Sequence, residues 1–207
     1  MIEVRGAAVE PTLPATDLVL VRGAVRVVGV ETDERPKTLS LLVGGRVRAT
    51  AGEVLLDGQP DASALRRAVA LVDTPFASEP SPTVSLATAV AEELAFAGRP
   101  SGRRAVAEVL RACGLEGRAR DRVEATPTAE RLKLLCELAL LRPGIEALVI
   151  TSPERHGGDP ALWFPVLARI AQRDVAVLVV TDTPTERALV GLGAASASDL
   201  PAVPELS

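Results

Sequence analysis

Two apolar stretches constrain the fold more than anything else in the chain: IEALVIT at residues 145–151 and VAVLVVT at residues 175–181. Both are apolar at nearly every position, without the polar alternation of a strand that shows one face to water. Between them PALWFPVLARIAQ carries helical periodicity, and TERALVGLG follows the second. A buried strand, a helix, a second buried strand and a second helix call for a parallel sheet covered on both faces. Pro165 predicts a break or kink in the first of those helices.

The first half has a different texture. IEV, DLVLV and AVRVVGV are short β-branched runs separated by turn residues, and TLSLLVGG suits a short helix stopped by Gly44 and Gly45. GEVLLDG (52–58) and AVALV (68–72) read as strands on either side of the polar ALRR, and the three prolines of DTPFASEPSP (73–82) mark a loop. From residue 84 to 142, VSLATAVAEELAFAG, GRRAVAEVLRACG and AERLKLLCELALL are all helix-periodic. The tail SDLPAVPELS reads as an extended or frayed end. The expectation is a single α/β domain: an antiparallel β subdomain and a mainly parallel sheet with an inserted helical lobe. Its parts are residues 1–72, the helical lobe 73–142 and the second half of the α/β core 143–207.

Composition narrows the function. At 207 residues the chain can bury a sizeable core. A net charge of −4 argues against nucleic-acid binding, which needs a basic stripe. Aromatics amount to 2%, namely Phe76, Phe96, Trp163 and Phe164 with no tyrosine, so base-stacking platforms are nearly absent. Lysine occurs only at Lys37 and Lys133, an arginine-heavy bias that suits a GC-rich, bacterial genome. Cys113 and Cys136 have no metal-ligand spacing and read as free thiols in a reducing cytoplasm. The N-terminus lacks the pattern of a signal peptide, and no apolar run approaches the about 18 residues of a membrane span. The expected location is cytoplasmic, with peripheral docking on the inner face of the membrane left open.

The order of segments resembles the nucleotide-binding domain of ATP-binding-cassette (ABC) proteins. GEVLLDGQP with ALRRAVALV resembles the stretch after the phosphate-loop helix, and PTVSLATAVAEEL the start of the helical lobe. RAVAEVLRACGLEGRARDRV resembles the helix before the signature, ERLKLLCELALLRPGIEALVI the signature helix and Walker B strand, and GGDPALW the D-loop. The resemblance implies an ABC ATPase-like P-loop fold. It covers nearly the whole chain.

Laid on this resemblance, the chemistry is missing station by station. GVETDERPKTLSLLVG fits the family's phosphate-loop pattern without a gap. Gly29 matches the first glycine, but Thr32 and Glu34 replace inner glycines, Arg35 stands at the lysine, Pro36 at the Mg²⁺-binding hydroxyl, and Lys37 comes next. Glycine's backbone freedom and one N–H are lost, and Glu31, Asp33 and Glu34 repel a triphosphate. Thr151 and Ser152 stand where Walker B carries its two carboxylates, and Asp182 where the switch histidine would be. Pro127, Thr128, Ala129 and Glu130 occupy the signature, and only Arg131 after them matches. Thr126 or Thr128 reads equally as a helix cap with Pro127 in the first turn. The Q-loop glutamine falls near Asp73 or Thr74, and partner docking would use Asp73, Thr74 and Phe76. Asp159 is the one polar motif residue that survives, and Asp before Pro160 is also an ordinary helix start.

His156, the only histidine, is expected to be solvated in its loop. As a base for Ser152 it lacks the G-x-S-x-G elbow, which argues against a hydrolase. The eroded stations together point to a degenerate ABC-type domain, a pseudo-ATPase with a structural or regulatory role. No catalytic residue, metal or cofactor is expected. Its partners would be a second copy or another ABC-type subunit, with a membrane-spanning protein possible and no nucleic acid. The alternatives are a divergent but active ABC ATPase that binds ATP and Mg²⁺ through Arg35, Lys37 and Asp182, and a binding module for some other ligand.

Overall fold

The structure, a computed structural model, describes residues 1–30 and 34–198. Thr32 and its neighbours Glu31 and Asp33 lie outside the described residues, as does most of the C-terminal tail. Strands β1 (Ile2–Val9), β2 (Leu13–Leu20) and β4 (Ala51–Leu56) form an antiparallel sheet in the order β2-β1-β4. Gly52 is held here by close approach: at φ +67°, an added Cβ would strike the carbonyls of Arg5 and Gly6.

The second sheet is parallel, in the order β5-β6-β7-β3-β8. Its strands are β3 (Val25–Gly29), β5 (Val69–Val72), β6 (Ala147–Thr151), β7 (Ala176–Thr181) and the two-residue β8 (Ala195–Ser196). Every residue of β5, β6 and β7 is buried, as their unbroken apolar character requires. Alternate side chains divide between two cores. Val27, Val72, Ile150 and Val179 face helices α5 (Thr128–Ala139), α6 (Pro160–Ala171) and α7 (Thr183–Gly191). Val28, Leu71, Val149 and Val180 face the antiparallel sheet, α1 (Arg35–Val43) and α2 (Ala62–Ala68).

Helices α3 (Leu86–Phe96) and α4 (Arg103–Cys113) complete the inserted lobe. It is not packed as a separate body. Leu134 and Leu138 of α5 join Val90 and Leu110 in the lobe's core, while Leu132, Leu135 and Cys136 face the parallel sheet. One helix therefore serves both cores.

Several local expectations are corrected. The polar ALRR stretch belongs to α2, whose start Asp61 caps by accepting from Ser63 N and Ala64 N. Helix α6 runs unbroken through Pro165, with Trp163, Phe164 and Leu167 buried around it; apolar packing outweighs the lost backbone bond. Neither Thr126 nor Thr128 caps α5: Pro127 holds the cap position, and Thr126 Oγ1 donates to Arg122 O. Among the described residues no helix is long and apolar enough to cross a membrane.

Candidate functional site

The register of the parallel sheet brings the predicted stations to one edge. Val72 pairs with Ile150, Thr151 with Val180, and Gly29 with Thr181, so residues 29–30, 73–74, 151–152 and 181–182 leave the sheet at the same level. Ligands of open α/β sheets bind outside these carboxyl ends. A cleft of about 270 Å³ lies there, lined by Val30, Glu34, Pro36, Lys37, Thr151, Ser152 and Asp182 together with Pro75, Glu154 and Arg155.

The phosphate-loop end of the cleft is poorly furnished for an anion. Helix α1 begins with Glu34 at its cap and Pro36 in its first turn, and Glu34 makes no side-chain cap. The negative side chain sits at the helix's positive end, but the proline removes an amide that a phosphate would use. Lys37 is paired to Glu34, and its Nζ also lies 5.4 Å from the centre of the Phe76 ring. Arg35 Nε donates to Thr12 O at 3.2 Å, in the turn between β1 and β2. An added Cβ at Gly29 would meet the Glu186 side chain of α7, whose carboxylate end would have to swing aside.

At the Walker B position the strand ends in hydroxyls. Thr151 Oγ1 is 2.7 Å from Thr74 Oγ1 and donates to Ser40 Oγ at 2.7 Å, and Ser40 Oγ donates to Pro36 O at 2.9 Å. Thr74 and Ser40 are fully buried and Thr151 is 1% exposed. This neutral chain joins the end of β5 to β6 and α1 and engages the Thr151 hydroxyl on both sides. Ser152 comes next, in the left-handed region at φ 48°, its N–H donating to Val180 O at 2.7 Å.

Carboxylates gather instead a few residues further on. Glu154 accepts from Thr181 Oγ1 at 2.6 Å, and burial pushes its carboxyl up, with Asp182 repelling it as well. Asp182 caps α7 by accepting from Thr185 N at 2.7 Å. Asp159, at the D-loop position, caps α6 by accepting from Ala161 N at 2.9 Å, the ordinary helix-start role.

Beside the cleft, Asp73 closes the core onto the helical lobe. It is fully buried, and Arg131 grips it bidentately with Nε and Nη2 at 2.8 and 2.6 Å. Arg155 Nη2 donates to the Asp73 carbonyl at 2.6 Å and lies 3.2 Å from its carboxylate, while Arg155 Nη1 donates to Glu79 at 2.9 Å. His156 is not solvated as expected. It is 20% exposed, with Nε2 2.8 Å from Asp73 Oδ2, an ion-pair distance without the alignment of a directed hydrogen bond. Burial pushes the Asp73 carboxyl up, but Arg131 and His156 outweigh it and hold the group well below the usual carboxylate range. Asp73, Glu79 and His156 are close enough together to suggest a metal site. Two guanidiniums already neutralise them, and a divalent cation would have to displace both.

The signature position is divided. Pro127 is exposed, whereas Thr128 is buried and donates to Gly157 O at 2.6 Å. Ala129 packs on the sheet-side core, and Glu130 pairs with Arg118. Of the docking positions, Phe76 alone is exposed, at 97%, while Asp73 and Thr74 are fully buried.

Sequence reasoning missed Ser40, Glu79, Glu154, Arg155, Thr181 and Glu186. A hydroxyl inside the apolar run TLSLLV was the one local signal, pointing at Ser40; the others depend on tertiary closure.

No protein-family model matches the sequence, and no curated protein is similar to it. Solved structures do match. CbiO1 from Clostridium perfringens, described as part of the ABC transporter complex CbiONQ, aligns with a TM-score of 0.61 at 15% identity over 87% of this chain and 77% of its own. MJ0796, described as a bacterial ABC transporter cassette in dimeric form, aligns with a TM-score of 0.65 at 19% identity over 91% of both chains. An ATP-binding subunit of an ABC transporter gives 0.59 at 19% identity over 88% of this chain and 80% of its own. The fold is that of the ABC ATPases, an α/β P-loop fold with an antiparallel sheet beside the parallel one.

Proposed function

We propose that the chain is a catalytically degenerate ABC-type ATPase subunit, a pseudo-ATPase with a structural or regulatory role in a transporter-like assembly. One observation carries this reading. Thr151, at the place of the metal-binding carboxylate, is buried and hydrogen-bonded to both Thr74 and Ser40, so it offers a neutral, already engaged hydroxyl where Mg²⁺ binding needs a carboxylate's charge. The phosphate-loop end adds to the argument: Glu34 neutralises Lys37, Pro36 withholds an amide, and Glu186 lies against Gly29. A triphosphate brought there meets Glu154 and Asp182 with little positive charge to offset them.

On this reading the domain pairs with a second copy or with another ABC-type subunit and sits at the cytoplasmic face of a membrane-spanning partner. The exposed Phe76 beside Lys37 is the surface it would present. One feature favours the second reading, a divergent active ATPase: Glu154, half-buried and with its carboxyl pushed up by that burial, shares the cleft with Lys37 and could take a proton from water. Calorimetry of the full chain with Mg-ATP separates the two. The expected result is no binding heat up to millimolar nucleotide, and micromolar binding overturns the pseudo-ATPase reading.

A further inference from the structure

At the opposite end of α1 from the cleft, the chain turns at Gly44 and Gly45 beneath a group of arginines. Arg46 Nη1 donates to Gly44 O at 2.7 Å and its Nη2 to Val69 O at 3.2 Å. Arg66 Nη1 donates to Gly45 O at 2.9 Å. These carbonyls hold the two guanidiniums in place and leave most of their donors unused. Arg48 stands with them and makes no hydrogen bond or ion pair to any described residue. The three line a cavity of about 440 Å³ whose walls include Leu42 and Leu65 and whose one carboxylate is Glu53.

The charge there is unbalanced. Burial lowers the pKa of Arg46, and the nearby charges of Arg142 and Arg66 lower it further. Arg142 Nε is itself buried without a hydrogen-bond partner. Glu93 faces Arg142, whereas Glu53 is the one acid that lines the cavity with Arg46, Arg48 and Arg66.

We propose that this cavity binds a phosphate monoester, with its phosphoryl group between Arg46, Arg48 and Arg66 and its organic body against Leu42 and Leu65. Three guanidiniums against one carboxylate leave two positive charges, and a phosphoryl group carries about −1.5 to −2 at neutral pH. The planar fork of arginine matches phosphate oxygens in pairs. A volume of about 440 Å³ exceeds what a bare oxyanion fills and lies within the roughly 300–1,000 Å³ of small-molecule sites. The nine residues of α1, at about 1.5 Å each, separate the cavity from the strand-end cleft by about 13 Å, so the proposal does not depend on the reading of that cleft.

The test titrates the full chain with inorganic phosphate, phenyl phosphate, and phosphatidylcholine vesicles with or without phosphatidic acid, following amide shifts and binding heat. Phenyl phosphate should bind more tightly than inorganic phosphate and shift the amides of Gly45 and Arg46. Arg48→Gln, which breaks no hydrogen bond or ion pair to a described residue, and Arg66→Gln should each weaken it about tenfold. Binding of phosphatidic-acid vesicles without binding of the soluble ester supports the site and assigns the phosphate to a lipid headgroup. No shift at Gly45 or Arg46 with any probe at millimolar concentration overturns the proposal. Equal affinity for phosphate and phenyl phosphate, or affinity unchanged in both variants, overturns it as well.

Discussion

Replacing Asp73 by Asn asks whether charge, rather than shape, closes the core onto the helical lobe. Asp73 is fully buried, Arg131 is 3% exposed, and two hydrogen bonds of 2.8 and 2.6 Å join them. Asn has nearly the same volume and tolerates the left-handed backbone of this position, at φ 57°. The substitution therefore removes one charge and little else, leaving Arg131 desolvated beside Arg155 and His156. Breaking a buried pair by removing one partner costs about 3–5 kcal/mol. The amide oxygen still accepts one hydrogen bond and returns about 1 kcal/mol, so the expected loss is about 2–4 kcal/mol. For a domain of this size that lowers Tm by about 4–16 °C. Urea unfolding followed by the fluorescence of Trp163, 1% exposed, measures the loss directly. The pH dependence supplies a second check. The folded carboxyl titrates below its ordinary value of 3.8, so the unfolded chain binds more protons as pH falls and the stabilisation present above that value is lost below it. The gap between the two proteins should be full at pH 7 and shrink below about pH 4. A loss under about 1 kcal/mol at pH 7, or a gap that stays constant into acid, refutes the reasoning.

Thr151→Val removes the middle of the hydroxyl chain and strands Thr74, while Ser40 keeps its bond to Pro36 O; denaturant unfolding should show a loss of about 1–3 kcal/mol. Leu138→Ala, in the lobe at 0% exposure, should cost about 2–5 kcal/mol. Because α5 serves both cores, far-ultraviolet dichroism and Trp163 fluorescence should still report one coincident transition rather than a lobe that melts first. Glu154→Gln should gain stability relative to the parent as pH rises. The folded Glu154 carboxyl titrates above its ordinary 4.5, so its ionisation opposes folding on the alkaline side, and the unfolding free-energy difference measured from pH 4 to 8 should grow in the variant's favour.

The fold was legible where burial leaves a mark on sequence. Strands β5, β6 and β7 are buried at every position and so read as unbroken apolar runs. A helix start was legible where the cap is local and followed by proline, as at Asp159; Asp182, read only at the switch-histidine place, caps α7 as well. The reading failed where a distant group decided the outcome. His156 looked like a solvated loop residue because Asp73, against which it lies, precedes it by more than eighty positions. Pro127 and Thr128 looked like capping chemistry, yet Thr128 spends its hydroxyl on the carbonyls of His156 and Gly157. The two-residue β8 is too short for any pattern.

These failures share a physical cause that bears on the site itself. The residues at the resembling stations are engaged with one another: Thr151 with Ser40 and Thr74, Asp73 with Arg131, Lys37 with Glu34. A binding site kept ready for a charged ligand holds polar groups that water or the ligand must satisfy. Here the protein satisfies them internally, and the mutual bonds tie β5, β6, α1 and α5 together at the edge of the sheet. Polar groups that close on each other stabilise the cleft as it stands, and a ligand entering it would have to break those bonds before making its own. Variants that weaken the closure, Thr151→Val first among them, should therefore lower stability without creating nucleotide affinity in calorimetry with Mg-ATP, because Glu34 still neutralises Lys37 and Glu154 and Asp182 still repel a triphosphate.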